Sequence, residues 1–255
     1  MELILATASD IGYLPRMQKC MESMVENSNF DKNVFVYLKS TDTDIRMTND
    51  MIIMSVVDIN SIEALNKNKC IQHGEFLKSG GVFDGIKDED VIVFIDGDVE
   101  IQRPMNEREI ELFNGLKDDE VSVGYNASMT DTLRDEFERL QPTDGKDCKF
   151  YVDAKENKVY NTGVLAMNKK TWNKMCKEYI RLFPYIDSLF GHYAKQQWLI
   201  SFILTTQGYT IKEMDYYIHN HTHHGVVEGS RIDSERKVYY KDELVLFKHQ
   251  WIHQR

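Results

Sequence analysis

A chain of 255 residues is long enough to bury a sizeable core, and its net charge of -10 argues against nucleic acid as a partner. No stretch approaches the roughly 18 apolar residues that a membrane span requires, and no signal peptide opens the chain. The four cysteines, Cys20, Cys70, Cys148 and Cys176, match no zinc or redox spacing, so they read as reduced thiols of a cytoplasmic protein.

Residues 3–6 read as a buried strand closed by a polar turn over 7–12, after which Leu14, Met17, Met21, Met24 and Val25 give one face of a helix ending near Asn27. Strands follow at 33–39 and 51–57. A helix over 61–78 carries Gln72 and His73 and is stopped by Gly80-Gly81. Five consecutive apolar residues, Val91-Ile92-Val93-Phe94-Ile95, then read as a strand buried on both faces, the kind found at the centre of a parallel sheet. The order is that of an α/β nucleotide fold, although no G-x-G-x-x-G marks a dinucleotide site of the usual kind.

In the second half, Pro104 and residues 107–116 predict a helix and 121–125 a short strand. Residues 130–157 are polar, with few core candidates, and read as a helix plus a surface loop that serves as a lid. A strand at 159–167, helices at 170–182 and 194–205, and a strand at 209–214 follow. The chain closes with His219-Asn220-His221-Thr222-His223-His224, a last strand over 244–247, and Lys248-His249. Trp172 and Trp198 fall in helical apolar patterns and read as core, whereas Trp251 is a candidate for stacking on a sugar. The acidic runs 88–90 and 118–120 read as solvated. With no linker or repeat, a single domain is expected.

The chemistry concentrates at Asp96-Gly97-Asp98. A turn at the C-terminal end of the buried strand can aim both carboxylates at one point, on the sheet edge where α/β folds bind ligands. Two carboxylates so placed repel unless a hard divalent cation lies between them, and such a cation takes its remaining ligands from substrate phosphates. Histidines at alternate positions 219, 221 and 223 would share one side of an extended segment, suited to a metal or to sugar hydroxyls; the bland alternative is a polar loop. They compete with His249 for the place of third metal ligand. His249 is preferred because it follows an apolar strand and would be rigidly held.

Together these segments resemble the glycosyltransferase A fold, in particular the retaining family-eight group that includes glycogenin and lipopolysaccharide galactosyltransferases. Asp96-Gly97-Asp98 looks like that fold's Asp-x-Asp motif. Asn161-Thr162-Gly163-Val164, followed by Asn168 and Trp172, is similar to the family's Asn-Ala-Gly-Val strand. Gln196-Gln197-Trp198-Leu199 resembles the Asp-Gln-x-x-Leu helix start, and the 244–249 segment resembles the late strand whose histidine completes the metal shell. The resemblance implies one α/β, Rossmann-like glycosyltransferase domain over 1–255, with a mostly parallel central sheet flanked by helices. Residues 1–100 would form its nucleotide-binding half and 101–255 its acceptor-binding half.

It also implies a metal-dependent transfer, with retention, of a hexose from a nucleotide sugar such as UDP-glucose to a hydroxyl acceptor on a glycan, a protein or another molecule. Asp96, Asp98 and His249 would bind Mn²⁺ or Mg²⁺. Thr7, Ala8, Ser9, Asp10 and Tyr13 would line the nucleoside pocket, with Gln72 and Gly97 also against the donor. Asn161 and Thr162 would contact the donor sugar or the acceptor. Gln196 and Gln197 would lie near the reacting carbon, with the Gln197 amide oxygen suited to a front-face mechanism. An inverting enzyme would instead need a base, with Asp153 or Asp215 the carboxylates of choice. Two departures stand out. Gln196 replaces the family's carboxylate, and the Lys-Pro-Trp segment after the histidine is missing, so Lys248 or Arg255 would have to meet the leaving diphosphate. The alternatives are a sugar-phosphate nucleotidyltransferase, whose Gly-rich basic loop residues 7–12 lack, and a non-catalytic metal- or nucleotide-binding module.

Overall fold

The computed structural model describes residues 1–9, 14–39, 52–58, 86–125, 132–143, 148–154, 156–190, 195–221 and 227–249. Strands β1 (Leu3–Ser9), β2 (Lys32–Lys39), β3 (Ile52–Asp58), β4 (Val91–Ile95), β6 (Glu120–Gly124), β7 (Asn161–Asn168) and β8 (Thr210–Met214) form one seven-stranded sheet in the order β3-β2-β1-β4-β7-β6-β8. Only β7 runs antiparallel to its neighbours, so the expected α/β class with a mostly parallel sheet is what the chain adopts. Strands from both halves of the chain share this sheet.

The apolar run of β4 is buried throughout because layers cover both faces of the sheet. On one face, Val91, Val93 and Ile95 pack with Cys20 and Met24 of helix α1 (Leu14–Asn27), Phe113 of helix α2 (Glu107–Asn114), and Val99 and Ile101 of strand β5 (Val99–Ile101). On the other, Ile92 and Phe94 pack with helices α3 (Leu133–Arg139), α5 (Lys169–Leu189) and α6 (Lys195–Thr206) through Phe137, Trp172 and Trp198. Both tryptophans are fully buried, as their helical spacing suggested. Two small sheets complete the second half. One joins β10 (Ser230–Ile232), β11 (Val238–Tyr240) and β12 (Glu243–Leu244); the other joins β5, β13 (Phe247–His249) and β9 (His219–His221) in the order β5-β13-β9.

Several sequence expectations are corrected. The helix expected within 130–157 is present, and the described residues around it contribute more core than their polar composition suggested. Among the described ones, Leu133, Phe137 and Leu140 of the α3 region and Ala154 of helix α4 (Lys149–Ala154) are buried. Phe137 lies 4.9 Å from Phe190 and 5.6 Å from Trp198 between ring centroids, so a few well-placed rings do what an apolar run would do elsewhere. Helix α5 runs past Leu182 and through Pro184, because Phe183, Ile186 and Leu189 bury beyond it and outweigh the lost hydrogen bond. Strand β1 extends over Thr7 and Ala8, where a turn was expected. The last strand over 244–247 is two strands in different sheets, and the histidine segment includes a buried strand.

The acidic runs are only partly solvated. Asp90 is 1% exposed, and its carboxylate accepts the backbone N–H groups of Glu2 (2.8 Å) and Lys87 (3.0 Å). Asp118 accepts from Asn168 at 2.9 Å and pairs with Lys170. The helix expected over 61–78 and Gly80-Gly81 lie outside the described residues.

Candidate functional site

The chain turns sharply after β4. The Val99 N–H donates to the Asp96 carbonyl (3.0 Å) and the Asp96 N–H to the carbonyl of Gly163 in β7 (2.8 Å), so the carboxylate pair is fastened to two neighbouring strands at the sheet's C-terminal edge. Gly97 is needed for packing: a Cβ there would lie 2.6 Å from Met17 Cγ. Asp96 and Asp98 are partly exposed.

The residues that follow carry His249 to them. β5 pairs antiparallel with β13, setting His249 opposite Val99, next to Asp98 in sequence. Gln102 reinforces the pairing. Its backbone N–H donates to Leu246 (2.9 Å), its amide donates to the carbonyls of Val238 (3.0 Å) and Val245 (3.1 Å), and its Oε1 accepts from the Val238 N–H (2.7 Å). Arg103 adds a bond to the Leu244 carbonyl (2.7 Å) while its guanidinium grips buried Glu109. Glu109 is itself the capping-box partner of Asn106 at the start of α2. The C-terminal segment is thus clamped onto the polypeptide that carries Asp96 and Asp98.

As a result, one ligand atom each from Asp96, Asp98 and His249 lies within 4.8 Å of the others, and His249 Nε2 is 3.3 Å from Asp98 Oδ1. Two hard carboxylate oxygens and one imidazole nitrogen form a donor set that suits Mn²⁺ or Mg²⁺, and three protein ligands leave the rest of such an ion's shell to other oxygens. Of the competing histidines, His219 and His221 form β9 beside β13, with His249 in register with His221. All three are nearly fully buried. His219 Nε2 is 3.1 Å from His249 Nδ1, so His219 stands behind His249, on the far side from the carboxylates. His221 Nε2 lies 3.4 Å from the Tyr125 carbonyl. Burial, and then the neighbouring His249 and His221, hold His219 well below the ordinary imidazole range, which keeps it neutral.

Two glycines make room for these rings. The pairing of β6 with β7 shifts register between Val123 and Gly124, and Gly124 meets Asn161. A Cβ on Gly124 would lie 2.1 Å from His219 Nδ1, and one on Gly163 would lie 2.2 Å from His249 Cε1. The Asn161 amide oxygen accepts the Gly163 N–H at 2.9 Å, pinning the strand at this point. Asn161 and Thr162 are both buried.

The remaining sequence candidates are placed as follows. Gln196 and Gln197 occupy the first turn of α6, Gln196 buried and Gln197 partly so. α6 is anchored by Trp198 Nε1 to the Leu133 carbonyl (2.7 Å) and by the Tyr160 N–H to Ser201 Oγ (3.0 Å). Thr7 and Ala8 are buried within β1, Ala8 in the apolar core, because the strand continues where a turn was expected. Lys248 projects from β13 to pair with Glu100 at 2.7 Å and donates to the Arg236 carbonyl at 3.2 Å, so its ammonium is already engaged within the protein. Asp215 pairs with Arg108 and caps the turn into β9 through the Tyr217 N–H (3.1 Å). Asp153 lines a separate cavity of about 680 Å³ with Lys149, Arg181 and Gln207, which Asp96 and Asp98 do not line. The side chain of Ser9, and Asp10, Tyr13, Gln72, His73, His223, His224, Trp251 and Arg255, lie outside the described residues.

The sequence reading treated His219 as a rival ligand and missed that it backs His249. The alternation of His219 and His221 hinted at a shared face, but only the β9–β13 pairing shows which ring touches which.

The chain is similar to a solved galactosyltransferase. That structure, LgtC in complex with donor and acceptor sugar analogues, is 15% identical; the match covers 87% of this chain and 76% of that one, with a TM-score of 0.49. No family model and no curated protein matches the chain. The described cysteines, Cys20, Cys148 and Cys176, are in no disulfide, and burial pushes the Cys20 thiol far up, keeping it protonated. Among the described residues no helix is long and apolar enough to cross a membrane.

Proposed function

We propose that this protein is a metal-dependent glycosyltransferase of the glycosyltransferase A type, moving a hexose from a UDP-sugar to a hydroxyl acceptor with retention. The observation that carries the reading is the convergence of Asp96, Asp98 and His249 at the C-terminal edge of a mostly parallel sheet. Mn²⁺ or Mg²⁺ held by these three would supply Lewis-acid neutralisation of the departing diphosphate.

The chain's own groups have the complementary tasks. Ser9, Asp10 and Tyr13 are assigned to binding the nucleoside, and Gln72 to the donor. Asn161 and Thr162 contact the donor sugar or the acceptor. Gln197 presents its amide oxygen to the anomeric centre, and Gln196 binds donor hydroxyls in place of a carboxylate. Asp215 is paired with Arg108, and Asp153 lines a cavity that Asp96 and Asp98 do not line, so the reading assigns no inverting base to either and takes the transfer as retaining.

The test is incubation with Mn²⁺ and a panel of nucleotide sugars, followed by chromatographic detection of released nucleoside diphosphate. Asp96→Asn and Asp98→Asn are each expected to lower turnover by about 10³-fold, on the scale of losing one electrostatic stabiliser of the leaving group, without loss of the folded state. Full activity of either variant, or in excess EDTA, would overturn the proposal. Pyrophosphate release from an NTP and a sugar phosphate would point to a nucleotidyltransferase.

A further inference from the structure

His249 has one nitrogen facing the carboxylates and the other facing a second imidazole. The His219 and His249 rings are inclined by only 19° with centroids 5.2 Å apart, and their facing nitrogens, Nε2 and Nδ1, are 3.1 Å apart. Both rings are buried, and each is backed by a glycine whose Cα they nearly touch. Packing against Gly163 confines the His249 ring but does not by itself set which nitrogen carries the lone pair, whereas a partner at the far nitrogen fixes both the line of the ring and the direction of the near nitrogen. A metal-bound imidazole ordinarily has its second nitrogen fixed by such a partner, usually a carboxylate or a carbonyl. Here the partner is another imidazole, which can donate or accept at the point of contact, so the bond persists whichever nitrogen of His249 carries the proton.

We propose that His219 is the positioning residue of this centre: by holding His249 at Nδ1 it keeps Nε2 aimed at the space between the Asp96 and Asp98 carboxylates, where a divalent cation binds. The inference rests on the metal-dependent reading above and assigns to the first histidine of the His219-Asn220-His221 strand a role distinct from that of a ligand. It also accounts for Gly124 and Gly163, since each supplies the space one of the two rings occupies.

The experiment is titration of the protein with Mn²⁺ alone, without nucleotide, following the free ion by electron paramagnetic resonance, with thermal midpoints recorded for each variant. His219→Leu removes the nitrogen and is expected to weaken Mn²⁺ binding by about 10–100-fold, the range found when the partner of a metal-bound histidine is lost. His219→Gln places an amide where Nε2 lies and is expected to restore most of that affinity. Rescue by Gln separates positioning from bulk packing. Gly124→Ala provides a second approach, because it leaves the imidazole present but displaces it, and it too is expected to weaken binding. The inference is overturned if His219→Leu binds Mn²⁺ as tightly as the wild type, if His219→Gln is as weak as His219→Leu, or if the wild type binds no Mn²⁺. In that last case, metal-independent turnover of a nucleotide sugar would leave the transferase reading standing on its own.

Discussion

The imidazole of His249 lies directly over the Cα of Gly163, so closely that a methyl group there would sit 2.2 Å from Cε1 and 2.6 Å from Nδ1. This contact joins a strand of the large sheet to a strand of the small one. Gly163→Ala is therefore expected to push the ring off its line, weakening Mn²⁺ binding about 10–100-fold as second-shell disruptions do. Overpacking is expected to cost about 1–3 kcal/mol of stability as well. Calorimetric titration with Mn²⁺ beside a urea unfolding curve measures both, and unchanged Mn²⁺ affinity would show that the ring is not seated on Gly163.

Lys248 neighbours His249 in sequence but serves the scaffold. Its ammonium pairs with Glu100, and both side chains are largely shielded, so Lys248→Met should strand the carboxylate and cost about 1–3 kcal/mol. The donor KM is expected to stay near the wild-type value in steady-state assays. A large rise in KM with unaltered stability would return Lys248 to the leaving diphosphate.

Asp90 provides a pH signature away from the site. Burial opposes its ionisation, but the N–H groups of Glu2 and Lys87 more than compensate and hold the carboxyl below its ordinary value. A depressed pKa contributes stability that is complete well above the unfolded value of about 3.9 and is lost as the pH falls through the folded one. The wild type should thus exceed Asp90→Asn in stability by about 2 kcal/mol at neutral pH, with the gap closing only below about pH 4. Thermal melts of the pair across pH check this, and a gap that closes near neutrality would contradict it.

Phe137 tests whether the 130–157 region is core or lid. It packs against Trp198 and Phe190, and Trp198 in turn stacks on Phe202 at 5.1 Å. Phe137→Ala should cost about 4 kcal/mol in urea unfolding, as for other buried aromatics. A change in turnover without a change in stability would favour the lid.

Much of the layout was legible without coordinates. The apolar run before Asp96 marked the central strand, and helical spacing marked Trp172 and Trp198 as interior, because burial on both faces and on one face leave different periods in a sequence. Segment ends were less legible. Thr7 and Ala8 continue β1, and α5 runs on through Pro184, because packing against neighbours overrode the local signals of turn and proline. Within 130–157 the spacing of Leu133, Phe137 and Leu140 is that of one helix face, but the polar residues around it masked its weight, and its part in the core appears only once Phe137 meets Trp198.

By itself the sequence determined the α/β class, the position of the Asp96-Gly97-Asp98 carboxylates at a strand end, and a short set of histidines that could join them. Those features are local: each depends on residues a few positions apart and on the conformations they permit. The tertiary structure alone decided that His249 meets Asp98, that His219 stands behind it, and that Lys248 turns away to Glu100. These contacts join residues far apart in the chain, 30 positions for His219 and His249 and 148 for Lys248 and Glu100. They depend on the pairing of β5 with β13 and of β13 with β9, in which the register, not the sequence spacing, selects which side chains share a face.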